Sequence, residues 1–400
     1  MKRIVVVGAG QAGALLVAKL RGLGFDGQIT LVGAEPVPPY QRPPLSKAYL
    51  LGEMALERLF LRPESFYTEH DIDLRLGAKV TSIDPDARRL RLGAEVVEYD
   101  ALALTTGSLA RQLPVAMGGA LRGVHVVRSL ADVDAMAPEF RPGRRVIIVG
   151  GGYIGLEAAA VAAKKGLEVT VLEMAPRILQ RVAAPETSAA IRALHEAHGV
   201  RILDSTGLER IEGEAAVTGV RLSEGTWLAA DFVIAGIGIL PATELAETAG
   251  LALDNGIRTD TQGRTSDPHI WAAGDCASFP WRGTRIRLES VQNAIDQAEL
   301  VAANMLGAGK DYDPVPWFWS DQYDMKLQIA GLNTGYDRVV VRAGAARSHW
   351  YYAGEKFLAV DALNDPRAYM VGKRLLEQGR SPDPAAIADP ASDLKALLRA

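Results

Sequence analysis

Short unbroken apolar runs closed by glycines open the chain and recur in its middle. Residues 4–7 and 146–149 are wholly apolar, the pattern of strands in a parallel sheet buried on both faces. A helical pattern follows each run, through Leu15, Leu16 and Leu20 after the first and from the glycines at 150, 152 and 155 after the second. A second apolar strand follows each helix, Gln28–Val32 and Glu168–Leu172, so both stretches read β-α-β. Between residues 72 and 109 the pattern alternates, with Asp84-Pro85-Asp86 and Leu92-Gly93 as turns, and the stretch 99–107 predicts a buried strand returning to the first sheet. A hairpin-like stretch at 208–230 precedes a strand at Phe232–Ala235, and a long helix begins near residue 289 and runs through Met305. The remainder reads as strands at 326–330, 339–342, 347–352 and 356–362 and a helix at 367–378. Four prolines between 38 and 44 predict a stiff extended segment, with Ser46 capping a short helix that carries Lys47.

The glycines carry the first chemical signal. Gly8-x-Gly10-x-x-Gly13 and Gly150-x-Gly152-x-x-Gly155 each sit between a strand and a helix. That spacing allows a tight turn, close approach of pyrophosphate to backbone, and packing of helix on strand. Glu35 and Glu173 close the second strand of each unit, where a carboxylate can accept ribose hydroxyls. Gly274-Asp275 ends another short apolar run, and from the residues alone Asp275 reads equally as a turn residue or as a ligand for a hydroxyl-rich chain. Two nucleotide sites on one chain imply two cofactors. The predicted class is α/β: two Rossmann-like domains and a C-terminal α+β domain. The first spans 1–110 and 242–312, the second 111–241, and the third 313–400.

Composition narrows the function by exclusion. A net charge of −4 over 400 residues gives no bulk attraction to nucleic acid. No apolar run approaches the ~20 residues of a membrane span, and a strand begun by residue 4 leaves no room for a signal peptide. The single cysteine, Cys276, excludes an internal disulfide and points to the cytoplasm. His195 and His198 share a helix face without acidic or cysteine partners, so they read as core or surface histidines and no metal is expected. Trp317 and Trp319 read as core or interface aromatics, and Lys47, taken alone, as a surface lysine.

Taken together, the two fingerprints, the T-T-G at 105–107 and T-S-D-P-H-I-W-A-A-G-D at 265–275 resemble the two-dinucleotide-binding flavoproteins. Within them, P-Y-Q-R-P-P-L-S-K, G-G-G-Y-I-G-L-E, E-S-V-Q-N-A and P-W-F-W-S-D-Q resemble one branch. That branch is the NADH-dependent ferredoxin reductases of bacterial oxygenase systems, the putidaredoxin reductase type, with a glutathione-reductase-like architecture. The resemblance implies FAD on the first domain and NADH on the second. It implies FAD contacts at Gly8, Gly10, Gln11, Ala12, Gly13, Glu35, Arg42, Lys47, Val80, Thr106, Gly107, Arg128, Gly274, Asp275, Val291 and Trp319. It implies NAD contacts at Gly150, Gly152, Tyr153, Ile154, Gly155, Glu173 and Gly238, and an ion pair of Lys47 with Glu157 beside flavin N5. Ala34 departs from relatives that carry Asp there, which leaves Glu35 as the ribose ligand.

The disulfide-reducing relatives carry a cysteine pair where this chain has Pro43-Pro44-Leu45-Ser46. Without a thiol relay, electrons are expected to leave singly, to a 2Fe–2S ferredoxin that serves a haem monooxygenase or ring dioxygenase. The competing readings are reduction of a small organic radical or a rubredoxin, and a redox-controlled interaction flavoprotein. Arg282, Arg285 and Arg287 are a candidate basic patch for an acidic partner, with Lys373 and Arg374 as the alternative.

Overall fold

The computed structural model describes residues 1–344 and 346–399; Ala345 and Ala400, both within the expected C-terminal domain, lie outside the described residues. The backbone forms two compact units, one of Met1–Gln41, Ala55–Leu109 and Ile239–Pro314, the other of Arg42–Met54, Ala110–Gly238 and Val315–Ala400.

In the first unit, a five-stranded sheet runs in the order Ile270–Ala272, Ala101–Leu104, Arg3–Val7, Gln28–Val32, Ile72–Arg75, every pair parallel. Its strands are apolar without alternation because both faces are covered. Ile4 and Val6 pack with Leu16, Leu20, Ala298 and Val301 of the helices Gln11–Gly22 and Val291–Met305. Val5 and Val7 point the other way, into a cluster with Ile83, Leu90, Tyr99 and Leu104. The chain returns past Arg3–Val7 to start Ala101–Leu104, so the strand order reverses there. At such a reversal the carboxyl ends of neighbouring strands leave a crevice.

The second unit repeats the device. Arg201–Leu203, Glu168–Leu172, Arg145–Val149, Phe232–Ala235 and Val124–His125 form a parallel sheet in that order, with the helix Tyr153–Lys164 following Arg145–Val149. The 208–230 stretch is three antiparallel strands, Leu208–Glu212, Gly219–Leu222 and Trp227–Ala229. A five-stranded antiparallel sheet, Trp317–Gln322, Met325–Gly331, Lys356–Leu363, Arg347–Ala353 and Arg338–Ala343, packs against the helix Pro366–Glu377. Trp317–Gln322 is a strand the pattern did not announce. Its buried positions include Ser320 and Gln322, polar residues where a core strand ordinarily shows apolar ones. The proline-rich segment also differs from expectation. Pro43–Ser46 winds into a 3-10 turn, since proline at its first positions has the helical φ ready-made.

One buried polar cluster ties this sheet to the helix Pro185–Ala197. Thr187 donates its hydroxyl to Asp361 at 2.6 Å, Tyr351 donates to the same carboxylate, and the His349 Nδ1 lies 2.7 Å from the Thr187 oxygen. The threonine proton is engaged by Asp361, so His349 donates from Nδ1. Burial pushes the Asp361 carboxyl up to about 6 and the His349 imidazole down to about 4. The two slopes oppose one another. The raised carboxyl stabilises the fold below pH ~4 and loses that contribution as pH rises to about 6; the lowered imidazole stabilises it above ~6.5 and loses that contribution as pH falls toward 4. Each spans about 3 kcal/mol. Urea unfolding across pH 4–7 should therefore give Asp361→Asn a stability that falls on acidification relative to wild type, and His349→Asn one that falls on alkalinisation. Parallel curves for the two variants would refute the assignment.

Candidate functional site

Both parallel sheets end in a glycine turn, and the glycines fall into two kinds. Gly8 has φ +115°, and a Cβ there would sit 2.2 Å from the Thr105 carbonyl oxygen; one on Gly13 would sit 2.0 Å from the Gly8 oxygen. Gly150, at φ +106°, and Gly155 repeat this, with 2.4 Å to the Gly236 oxygen and 2.3 Å to the Gly150 oxygen. The chain's own backbone occupies those spaces. Gly10 and Gly152 are extended (φ −94° and −82°), and a Cβ on either meets nothing within 4 Å. Each therefore leaves open room at the N-terminus of a 12-residue helix, where unpaired N–H groups and the positive dipole end face outward. Room and charge both fit a diphosphate, so each turn fits a dinucleotide.

Around the first turn the residues of the first unit assemble as follows. Gln11 opens the helix Gln11–Gly22 and Ala12 is buried within it. Glu35 accepts the Tyr40 hydroxyl at 2.6 Å. Thr106 donates to the Ala242 carbonyl at 2.7 Å, and Gly107, at φ +69°, accepts the Ala242 N–H. Asp275 follows Gly274 (φ +82°) and accepts the Ser108 hydroxyl at 2.8 Å. Val80 is buried at the head of Val80–Asp84, and Val291 opens a helix capped by the Ser290 hydroxyl. Gln297 is an addition the sequence did not signal. Its Oε1 accepts the Gly274 N–H at 2.8 Å, and its buried Nε2 has no partner among the described residues.

In the second unit, Glu173 accepts the N–H of Gly151 and of Ala175, each at 2.8 Å, which pins the carboxylate beside the glycine turn. Each oxygen keeps a lone pair for a further donor. Tyr153 is turned inward, its ring 5.0 Å from Phe318 and its hydroxyl buried without a partner among the described residues, whereas Ile154 is 49% exposed. Gly238 has φ +96° and lies beside Arg111 and Arg181. Arg42 donates to the Arg128 carbonyl at 2.8 Å, and Trp319 lies 5.9 Å from Trp317.

Lys47 is not a surface lysine. Its ammonium lies 3.0 Å from Glu157 Oε1, and the glutamate, on the second turn of the Tyr153–Lys164 helix, is 3% exposed. Ser320 donates to the same oxygen at 2.7 Å and Ser46 to Oε2 at 2.8 Å. Burial pushes the Glu157 carboxyl above the ordinary range, and Lys47 with the two hydroxyls draws it back down. Ser46 therefore caps no helix, since the carboxylate takes its hydroxyl, and Lys47 itself stands at the N-cap of Ala48–Leu51. Ser46 and Ser320 were missed. The polar positions within F-W-S-D-Q are the trace that Ser320 leaves in the sequence.

The arginine patch fails on its partners. Arg285 donates to the Thr259 and Ser278 carbonyls and faces Asp254; Arg287 bonds the Asp275 carbonyl and Glu289; Arg282 lies 3.6 Å from Asp313 and over the Trp281 ring. Each of the three therefore has a carboxylate against it. At the alternative location, Lys373 is 3.9 Å from Glu377 and 4.9 Å from the Trp317 ring centre. Cys276 is fully buried, its sulfur 3.5 Å from the Leu104 and Ala273 oxygens, and burial pushes its thiol up, away from thiolate chemistry. His195 is wholly buried and His198 exposed. Among the described residues, no group of three or more His, Cys, Asp or Glu side chains could hold a metal, and no helix is long and apolar enough to cross a membrane.

Known proteins resemble this chain over nearly its whole length. The rhodocoxin reductase of Rhodococcus erythropolis is 44% identical across 99% of this chain and 94% of its own. The putidaredoxin reductase of Pseudomonas putida is 41% identical across 99% and 97%. The crystal structure of the covalent putidaredoxin reductase–putidaredoxin complex superposes with a TM-score of 0.96 at 40% identity, covering 100% of this chain and 98% of that one. A reductase C-terminal family profile matches residues 317–398. With residues 2–298 matching the profile of the pyridine nucleotide-disulphide oxidoreductases, the chain belongs to that family, in the branch that holds the rhodocoxin and putidaredoxin reductases.

Proposed function

We propose that this chain is an FAD-containing NADH:ferredoxin oxidoreductase that hands single electrons to a 2Fe–2S ferredoxin serving a haem monooxygenase or ring dioxygenase. The observation that carries this reading is a buried Lys47–Glu157 ion pair in a chain whose one thiol is fully buried, so no thiol relay is offered, the electron chemistry falls to the cofactor, and the pair supplies a fixed charge. When bound, FAD supplies the conversion of a two-electron hydride donor into one-electron steps. The FAD domain is residues 1–110 and 242–312, the NADH domain 111–241, and the C-terminal domain 313–400. The turn that Gly8 and Gly13 close and Gly10 leaves open, with Ala12, holds the FAD diphosphate, Glu35 a ribose and Asp275 the hydroxylated chain, while Arg42, Val80, Thr106, Gly107, Arg128, Val291 and Trp319 line the remainder. The turn that Gly150 and Gly155 close and Gly152 leaves open holds the NADH diphosphate, with Tyr153, Ile154 and Gly238 around it. Lys47 places a cation where negative charge grows on hydride arrival, and Glu157 fixes that cation. A cytoplasmic location suits the lone buried cysteine.

NADH-driven reduction of purified ferredoxins, a rubredoxin and monodehydroascorbate tests the reading. Ferredoxin reduction should dominate and should survive Cys276→Ser with FAD bound. Faster turnover of the rubredoxin or the organic radical, or loss of turnover in Cys276→Ser, would replace it. The same assay should favour NADH over NADPH by about 10²-fold, because a 2′-phosphate about 4 Å from the Glu173 carboxylate is repelled by several kcal/mol before screening. Equal kcat/KM would remove Glu173 from the ribose.

A further inference from the structure

Phe318, Ser320 and Gln322 share one face of their strand, since alternate residues of a strand point the same way. Phe318 meets Tyr153, Ser320 meets Glu157, and Gln322 reaches His195 on the helix Pro185–Ala197. The polar members are sealed from water: Ser320 and Gln322 are 1% exposed and His195 0%. Glu157 Oε1 faces the Lys47 ammonium at 3.0 Å and is therefore an acceptor, so Ser320 donates its proton to it at 2.7 Å and the serine oxygen is left to accept the Gln322 Nε2–H at 3.1 Å. That turns the amide Oε1 toward His195 Nε2, 2.7 Å away, which must carry the proton. Nδ1 is then an acceptor, and Tyr323 donates to it at 3.3 Å. Every link is set by the one before, and all donors point at Glu157.

We propose that Ser320, Gln322 and His195 form a one-way donor chain that keeps Glu157 ionised and thereby holds the Lys47 ammonium in place. They are positioning residues, acting through Glu157, and the proposal rests on the reading of Lys47 given above. Burial alone would favour the neutral acid; the aligned donors oppose it, because a hydrogen bond to a charged group is about twice as strong as one between neutral groups. The charged group facing Glu157 is Lys47, with Ser46 and Ser320 as hydroxyl donors; His195 faces Gln322, Tyr323 and His198, and burial together with His198 lowers its imidazole, opposed by the hydrogen bond to Gln322. The chain polarises and does not conduct. The Gln322 amide nitrogen has no basic lone pair with which to pass a proton on.

The test uses Ser320→Ala, Gln322→Leu and Ser320→Thr in the FAD-loaded protein and in the protein stripped of FAD. Two quantities are followed against pH: the carboxylic C=O infrared band of Glu157, identified by its loss in Glu157→Gln, and the rate of flavin reduction by NADH in anaerobic stopped flow. In Ser320→Ala the carboxylic band should persist to higher pH than in wild type, and flavin reduction should slow roughly tenfold with little change in KM. Gln322→Leu should move both readouts the same way by less, and Ser320→Thr should restore them. If the alanine variant does not fold, the leucine and threonine variants decide. An unmoved band and pH profile in the folded variants, whatever their Tm, would reduce the chain to packing and overturn the proposal. Failure of the wild type to reduce any ferredoxin would instead strike the proposed function, while the infrared titration of FAD-free protein still decides this one.

Discussion

Lys47→Met, with FAD bound, should be reduced by NADH about 10²-fold more slowly than wild type, the scale of losing one preorganised charge partner at a reacting centre. The bound flavin should also become harder to reduce, since the ammonium favours the electron-rich form. Methionine keeps much of the side-chain volume, so the effect isolates the charge. The substitution leaves Glu157 without its ion partner at 3% exposure. An unpaired buried carboxylate costs about 3–5 kcal/mol unless it takes up a proton. Its folded-state carboxyl, raised already, rises further without Lys47. A carboxyl raised in the folded state contributes stability at low pH and loses it as pH climbs through the folded value. Urea unfolding should therefore show the variant losing stability relative to wild type as pH increases. Stopped-flow reduction at the wild-type rate, with FAD retained, would return Lys47 to a purely structural role.

Gly152→Ala and Gly155→Ala should fail in opposite ways. At Gly152 the backbone is one any residue adopts, and the added Cβ meets nothing of the protein within 4 Å. The variant should unfold like wild type yet bind NADH on the order of 10²-fold more weakly, because displacing a bound group by ~1 Å costs about that much. At Gly155 the Cβ would lie 2.3 Å from the Gly150 oxygen, so backbone must move and stability should drop by about 1–3 kcal/mol. Calorimetric titration with NADH beside urea unfolding separates the two. Undiminished NADH binding by Gly152→Ala would place the diphosphate elsewhere.

Much of this molecule was legible from local pattern. Residues 4–7 and 146–149 are apolar throughout because each strand lies in a sheet covered on both faces, and that requirement leaves no alternation to misread. The glycine spacings are similarly local: a tight turn, an open approach and a helix packed on its strand are all decided within a few residues. The family resemblance named Lys47 and Glu157, which spacing alone would have left as a surface lysine and a helical acid.

What the tertiary structure decided lies in contacts between residues far apart in sequence. Ser46 reads as a helix cap, but Glu157, 111 positions away, takes its hydroxyl. Ser320 and Gln322 hide in a strand the pattern did not announce, because their buried partners, Glu157 and His195, belong to two helices of the second unit. Arg282, Arg285 and Arg287 look like a basic patch in sequence and are neutralised in space by Asp313, Asp254 and Glu289. Local pattern reports whether a residue belongs inside or outside; it carries no record of which buried polar group another will meet. Buried polar groups must find partners or lose several kcal/mol, so the packing of helix on sheet settles those identities, and with them the charge state of the carboxylate that holds Lys47.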